Sequence, residues 1–140
     1  MKKIFFVSFA AVALMMSSAF AQELGSSASL KQNMKQLGTL FKAIGSSVAD
    51  SSQNSKNLEK SQQMTVLFKI VAQQVPETIA DLPDGEKEAA LKDYQDLMSQ
   101  EVALSEQLQQ AFANNDNAMA AKILQHMGDI RKNGHGKYKE

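Results

Sequence analysis

The chain has 140 residues, of which 15 are basic, 15 are acidic and 44% are hydrophobic. This even balance of charge gives no indication of binding to nucleic acid or to an anionic membrane surface. Because the sequence has no cysteine, disulfide bonds, thiolate metal sites and covalent cofactor attachment through C-x-x-C-H are excluded, and packing or a non-covalently held ligand must stabilise the fold.

Residues 1–21, "MKKIFFVSFAAVALMMSSAFA", have the pattern of a secretory signal. Two lysines precede an apolar run that is too short to span a bilayer, and small residues with an A-x-A cleavage site follow. We therefore predict cleavage after Ala21 and a single mature domain over residues 22–140. The expected product is a soluble periplasmic protein that does not insert into the membrane.

The first predicted helix begins after Ser27 or Ser29, either of which can cap it, and ends at "SSVADSSQNS". Its apolar residues recur at alternating spacings of four and three, the pattern of one face of an amphipathic helix. They are Leu30, Met34, Leu37, Phe41, Ile44 and Val48.

Three more helices are predicted, over about 56–74, 86–112 and 116–138. The segment "VPETIADLPDG", with both prolines and a turn-forming Asp84-Gly85, is predicted to be the long connection before the third helix, and "ANNDN" ends that helix. The residues of the third helix that we expect to face inward are Leu91, Tyr94, Leu97, Met98, Val102, Leu108 and Phe112.

Four amphipathic helices of about 20 residues, without strand-like alternation anywhere, predict an all-α fold. Each helix must bury one apolar stripe, and the simplest arrangement that does so is an antiparallel up-and-down four-helix bundle. We expect this bundle to be a monomer.

The sequence offers few of the motifs on which catalysis depends. It contains no G-x-S-x-G, no phosphate-binding glycine loop and no H-E-x-x-H, and the Glu-x-x-His of bundle di-iron sites is absent because Ile123 and Lys132 precede the two histidines by three residues. We therefore predict that the protein is not an enzyme. The remaining candidate ligands are methionine and histidine side chains.

His126 and His135 are nine residues apart, so on one helix they point about 180° away from each other and cannot share a site. His126 lies on the polar side of the fourth helix, and we expect it at the surface. His135 lies between Gly134 and Gly136 at the edge of the apolar stripe. By itself this position is compatible with an exposed tail histidine as well as with one that faces the interior.

The predicted topology places Met34 and His135 at the same level of the bundle. The first and fourth helices are antiparallel neighbours, Met34 is about five residues into the first helix, and His135 is about five residues from the end of the chain. A thioether and an imidazole are the two axial ligands that a haem iron accepts in some cytochromes, although a methionine at this spacing can also be an ordinary core residue. Tyr94 and Met98 belong to the same end, where they can pack on a porphyrin or on each other.

Two end motifs carry a resemblance to a known family. "LKQNMKQLGTLFKAI" is similar to the first helix of the soluble cytochrome b562 family, whose L-x-x-N-M-x-x-L run contains a methionine ligand, and "RKNGHGKY" is similar to its R-x-x-x-H-x-K-Y ending. "KDY" at residues 92–94 resembles a K-D-F of its third helix, and Met64 falls where the family has a methionine in its second helix. The resemblance covers essentially the whole mature chain.

This resemblance implies one non-covalent haem b (iron protoporphyrin IX) per chain, with Met34 and His135 as axial and metal ligands. It also implies that Arg131 pairs with a haem propionate, although an arginine at this position can also be a solvated cation or one that favours the C-terminal end of the helix. The full set of expected cofactor-binding residues is Met34, His135, Arg131, Leu37, Phe41, Tyr94, Met98 and Met127.

With both axial positions occupied, the implied activity is one-electron transfer with a periplasmic redox partner that the sequence does not identify. Two alternatives stay open: a haem-free periplasmic bundle that acts as a binding or stress-related module, and haem storage or delivery. The role of Gly134 and Gly136 is open as well, because they either allow close approach of a porphyrin or cause the end of the helix to fray.

Overall fold

The computed structural model describes residues 27–139, which form helices and connecting turns with no strand among them. The predicted secretory signal lies outside these described residues. The α-helices are α1 (Leu30–Gly45), α2 (Asn54–Val71), the single turn α3 (Glu77–Ala80), α4 (Asp84–Ala113) and α5 (Asn117–Tyr138), and a 3₁₀ turn at Ser51–Gln53 precedes α2.

The four long helices form the bundle that the sequence predicts. Helix α1 packs on α2, α2 packs on α4, and α4 packs on α5. Contact between α1 and α5, which would close the ring, is much less extensive. The all-α prediction is confirmed, and the sparse contact between α1 and α5 leaves space between the first and last helices.

Helix α1 begins with a capping box at Ser29, which confirms one of the two predicted caps. The amide of Gln32 donates to the Ser29 hydroxyl at 3.2 Å, and the Ser29 amide donates to the Gln32 side chain at 2.9 Å. Along the apolar face of α1, Leu37 and Ile44 are buried. The remaining members of that face are only partly buried against the core, and they are Leu30, Met34, Phe41 and Val48.

The connection between α2 and α4 differs from the prediction in two ways. It contains the one-turn helix α3, and Asp84-Gly85 is the first part of α4 rather than a turn before it. Pro83 has the extended backbone of a residue before a helix (φ −57°, ψ 145°), and its carbonyl accepts from the amide of Glu86 at 2.9 Å. An acidic residue such as Asp84 is also favourable in a first helical turn, where the helix dipole is positive.

The core is aliphatic and rich in methionine, and it extends through the bundle between all four long helices. Met64 and Met127 are each 1% exposed, and Leu108 is fully buried. The buried stripe of α4 also holds an ionisable residue, Glu101, between Tyr94 and Leu108.

Candidate functional site

A cavity of about 570 Å³ opens at the end of the bundle where α1 begins and α5 ends. Its wall is formed mainly by apolar side chains of α1, α2 and α4, and this volume is in the range of small-molecule and cofactor sites. The partly buried residues of α1 line this cavity, which explains why that apolar face is not fully covered. The apolar and aromatic side chains that line it include Leu37, Phe41, Met64, Phe68, Tyr94 and Met98.

Met34 and His135 both line this cavity, one from α1 and the other from α5. Met34 is partly buried, whereas His135 is exposed at the cavity edge. Desolvation, followed by the positive charges of Arg131 and Lys139, lowers the pKa of His135. The imidazole is therefore held toward its neutral form, which is the form that ligates a metal.

The last turn of α5 is attached to α4 through Asp93. Its carboxylate accepts a hydrogen bond from the Tyr138 hydroxyl and another from Lys137 Nζ at 3.0 Å, and these bonds lower the pKa of Asp93. Burial, and then the bond to Asp93, raise the pKa of Tyr138 to about 12. Tyr138 also packs edge-on against Tyr94, with ring centroids 5.7 Å apart. The helix that carries His135 thus continues to Tyr138 with its end fixed in place.

The two glycines beside His135 are not required by packing within the chain. A Cβ atom added to Gly134 would lie 3.8 Å from Leu97 Cδ1, an ordinary contact, and one added to Gly136 would meet nothing within 4 Å. Gly134 lines the cavity, whereas Gly136 does not. Only Gly134 is therefore placed where a missing side chain leaves room for a ligand.

Arg131 lies across the gap between α5 and α1. Its guanidinium carbon is 5.6 Å from the centroid of the Phe41 ring, a cation–π contact, and its Nη2 is 3.6 Å from the position that a Cβ on Gly38 would take. Arg131 is one turn from His135 and lines the same cavity. The other basic residues that line it are Lys31, Lys35, Lys42 and Lys139.

Glu101 is the one carboxylate in the lining of this cavity, as far as residues 27–139 show. The residue is 3% exposed, and its Oε2 has no hydrogen-bond partner in the described part of the chain. Burial raises the pKa of Glu101 to about 8, against the opposing effect of the Arg131 charge. A largely neutral carboxylic acid therefore lies in the wall at neutral pH.

Residues 29–139 match the family model for cytochrome b562. The chain belongs to the cytochrome b562 family. Neither the comparison with curated proteins nor that with solved structures gave a match. Membership in the cytochrome b562 family indicates a haem-binding four-helix cytochrome, a class of electron carriers that are generally not enzymes.

The residues around the cavity fit the haem of a cytochrome b562. Met34 and His135 bring a thioether and an imidazole to the lining, the wall is apolar and partly aromatic, and Arg131 with four lysines makes the lining positively charged, as the propionates of a haem would require. Among residues 27–139, no group of three or more His, Asp or Glu side chains is placed to hold a bare metal ion. No helix formed by these residues is both long and apolar enough to cross a membrane.

Seven of the eight residues predicted to contact the cofactor line the cavity, and the eighth, Met127, does not. Met127 is buried in the core. It lies eight residues before His135 on α5, which places it about 12 Å deeper in the bundle and about 80° around the helix. Met127 is therefore a packing residue in this structure. His126 is exposed, which confirms its predicted surface position.

Glu101 was not predicted as a site residue, although the helical pattern contained a signal for it. Glu101 is seven residues after Tyr94 and seven before Leu108, so it occupies a position of the inward-facing stripe. A charged residue at such a position is rare unless it is paired or functional. The lysines of α1 were missed for a different reason, because their place at the edge of a cavity depends on the tertiary structure.

Proposed function

We propose that this protein is a soluble periplasmic electron carrier that holds one non-covalent haem b with Met34 and His135 as its axial ligands. The observation that carries the proposal is that these two side chains, from opposite ends of the sequence, line one apolar cavity. The match to the cytochrome b562 family over residues 29–139 supports the same cofactor.

If haem binds in this cavity, it would supply a one-electron redox centre, and Met34 and His135 together would leave no open position on the iron for a substrate. The Met34 thioether would favour the reduced state, and the neutral imidazole of His135 would be the second ligand. Arg131 would pair with a propionate, and the neighbouring lysines would add to the positive field at the mouth. The apolar residues Leu37, Phe41, Tyr94 and Met98 would exclude water from the porphyrin.

Periplasmic location in this proposal rests on the predicted signal over residues 1–21 and on the family. We propose that the protein is a monomer, that it is not an enzyme, and that it exchanges electrons with a periplasmic redox protein. The basic residues around the cavity mouth favour a partner that presents carboxylates near the exposed edge of the site.

Haem addition to the purified mature chain is the direct test. We expect one equivalent of haemin to give an oxidised low-spin spectrum and, after dithionite, sharp α and β bands, because both axial ligands are protein side chains. The matched control is a Met34→Ala, His135→Ala double variant, which retains the fold and lacks the ligands. A colourless chain, or one without these bands, supports the haem-free module instead.

Substitution of the two glycines on either side of His135 tests how the end of α5 holds the cofactor. We expect Gly136→Ala to lose haem to an excess of apo-globin several-fold more slowly, because a Cβ at this position meets nothing within 4 Å and the alanine favours the helix by about 0.5–1 kcal/mol. If Gly134→Ala alone fails to bind haem while Gly136→Ala binds it, the porphyrin approaches the backbone at residue 134. Rapid haem loss from the unmodified chain would favour storage or delivery over electron transfer.

A further inference from the structure

Glu101 has features that a structural core residue does not need. Its side chain is 3% exposed on the stripe of α4 that otherwise packs apolar residues, and it reaches the wall of the cavity. Its Oε2 makes no hydrogen bond within residues 27–139. A buried polar atom without a hydrogen-bond partner destabilises the folded chain, so this position is unfavourable for the fold alone.

Among the described residues, Glu101 is the only one that contributes a carboxyl group to the lining of the cavity. Helix α2 contributes only Met64 and Phe68 to the wall, and neither titrates. The other titratable or charged side chains that line the cavity are Lys31, Lys35 and Lys42 of α1, Tyr94 of α4, and Arg131, His135, Tyr138 and Lys139 at the end of α5. Among them, the positive charge of Arg131 is the one that opposes the rise in the pKa of Glu101.

Two opposing effects set the protonation of Glu101. Burial favours the neutral acid, and the guanidinium of Arg131 favours the carboxylate, with the result that the pKa is raised to about 8. Solvent and salt screen charges poorly in such a cavity, so a change of one unit charge there shifts the pKa of Glu101 strongly. Glu101 is thus placed to respond to the oxidation state of a redox centre beside it.

We infer that Glu101 couples proton uptake to reduction of the bound haem, an inference that rests on the proposed function. The extra positive charge of the oxidised centre favours the carboxylate form of Glu101. On transfer of one electron from a one-electron donor, this carboxylate takes one proton from solvent and an O–H bond forms on it. On oxidation the electron leaves and Glu101 returns the proton to solvent. No other bond forms or breaks, and the net charge of the cavity is the same before and after.

The test is a spectroelectrochemical titration of the haem-loaded chain between pH 5 and 9. At a fixed electrode potential, we expect the ratio of reduced to oxidised protein to fall by up to tenfold for each unit by which the pH rises. This change corresponds to a decrease of about 59 mV in the reduction potential of a one-electron couple. This dependence should be strongly reduced in Glu101→Gln, which keeps the size of the side chain but cannot titrate. The matched control is Glu106→Gln, because Glu106 is exposed on the same helix and pairs with Lys69.

A second measurement does not depend on a variant. Redox-difference infrared spectra of the haem-loaded chain should show the carbonyl band of a protonated carboxylic acid in the reduced state, and ¹³C labelling of glutamate should shift that band. A haem-loaded chain without this band, or with the same pH dependence in Glu101→Gln as in the unmodified chain, overturns the role of Glu101 and leaves the proposed function intact. A chain that binds no haem overturns both.

Discussion

Replacement of His135 by alanine is expected to lower haem affinity by more than about 100-fold, and replacement of Met34 by alanine is expected to leave haem bound in a high-spin state. Even hydrogen-bond partners of metal ligands are worth 10–100-fold in affinity, so loss of the imidazole ligand itself must cost more. The thioether is the weaker donor, and its loss opens one axial position while the other stays occupied. Haem titration followed in the Soret region measures both effects.

The chain provides matched controls for both substitutions. His126 is exposed on α5 nine residues from His135, and Met119 is 47% exposed near the start of the same helix, far from the cavity. His126→Ala and Met119→Ala should bind haem as the unmodified chain does. Because His135 is exposed and Met34 only partly buried, the two site variants should keep the helical circular dichroism of the parent. An unchanged spectrum in either site variant would remove that residue from the ligand set.

The bundle was predictable from the sequence because its helices carry their own signals. Alternating spacings of three and four define the buried face of α1, Ser29 supplies a side-chain cap, and the Asn-rich segment after α4 includes Asn115 with a positive φ of 55°. The start of α4 was mispredicted because Asp-Gly is a common turn sequence, whereas here Pro83 provides the extended residue before the helix and Asp84 enters its first turn.

The candidate site was only partly predictable. The direction of each helix, and the distance of a residue from the end of its helix, follow from the topology of the bundle. They are enough to place Met34 and His135 at the same end. Side-chain conformation is not encoded in that pattern, so the contact of Arg131 with Phe41 and the bond from Tyr138 to Asp93 required the structure. The place of Met127 in the core also required the structure, because an apolar stripe does not show which of its members face a cavity and which fill the core.

The stability of the haem-free chain is expected to fall as the pH rises from about 5 to about 8. In this range the folded state holds a proton on Glu101, whose pKa is raised to about 8, while the unfolded state has already released it above the ordinary value of 4.5. The free energy of unfolding therefore decreases by up to about 1.4 kcal/mol per pH unit through this group. The stabilising contribution of Glu101 is complete below its ordinary pKa of 4.5, and it is lost as the pH rises through the pKa of about 8 in the folded state. Urea denaturation at several pH values measures the slope.

Glu101→Gln isolates this contribution from the other groups that titrate. The lowered pKa of His135 makes the free energy of unfolding rise with pH up to about its ordinary value of 6.5. The lowered pKa of Asp93 has the same effect, but only in the acid range. Both groups are present in the variant, so their contributions cancel in the comparison. We expect Glu101→Gln to be the more stable chain at pH 8 by a few kcal/mol, with its advantage decreasing toward pH 5, whereas Glu106→Gln should follow the parent. Parallel pH profiles for Glu101→Gln and the parent would show that Glu101 is ionised in the folded chain, and the buried acid would then have no role in a proton-linked potential.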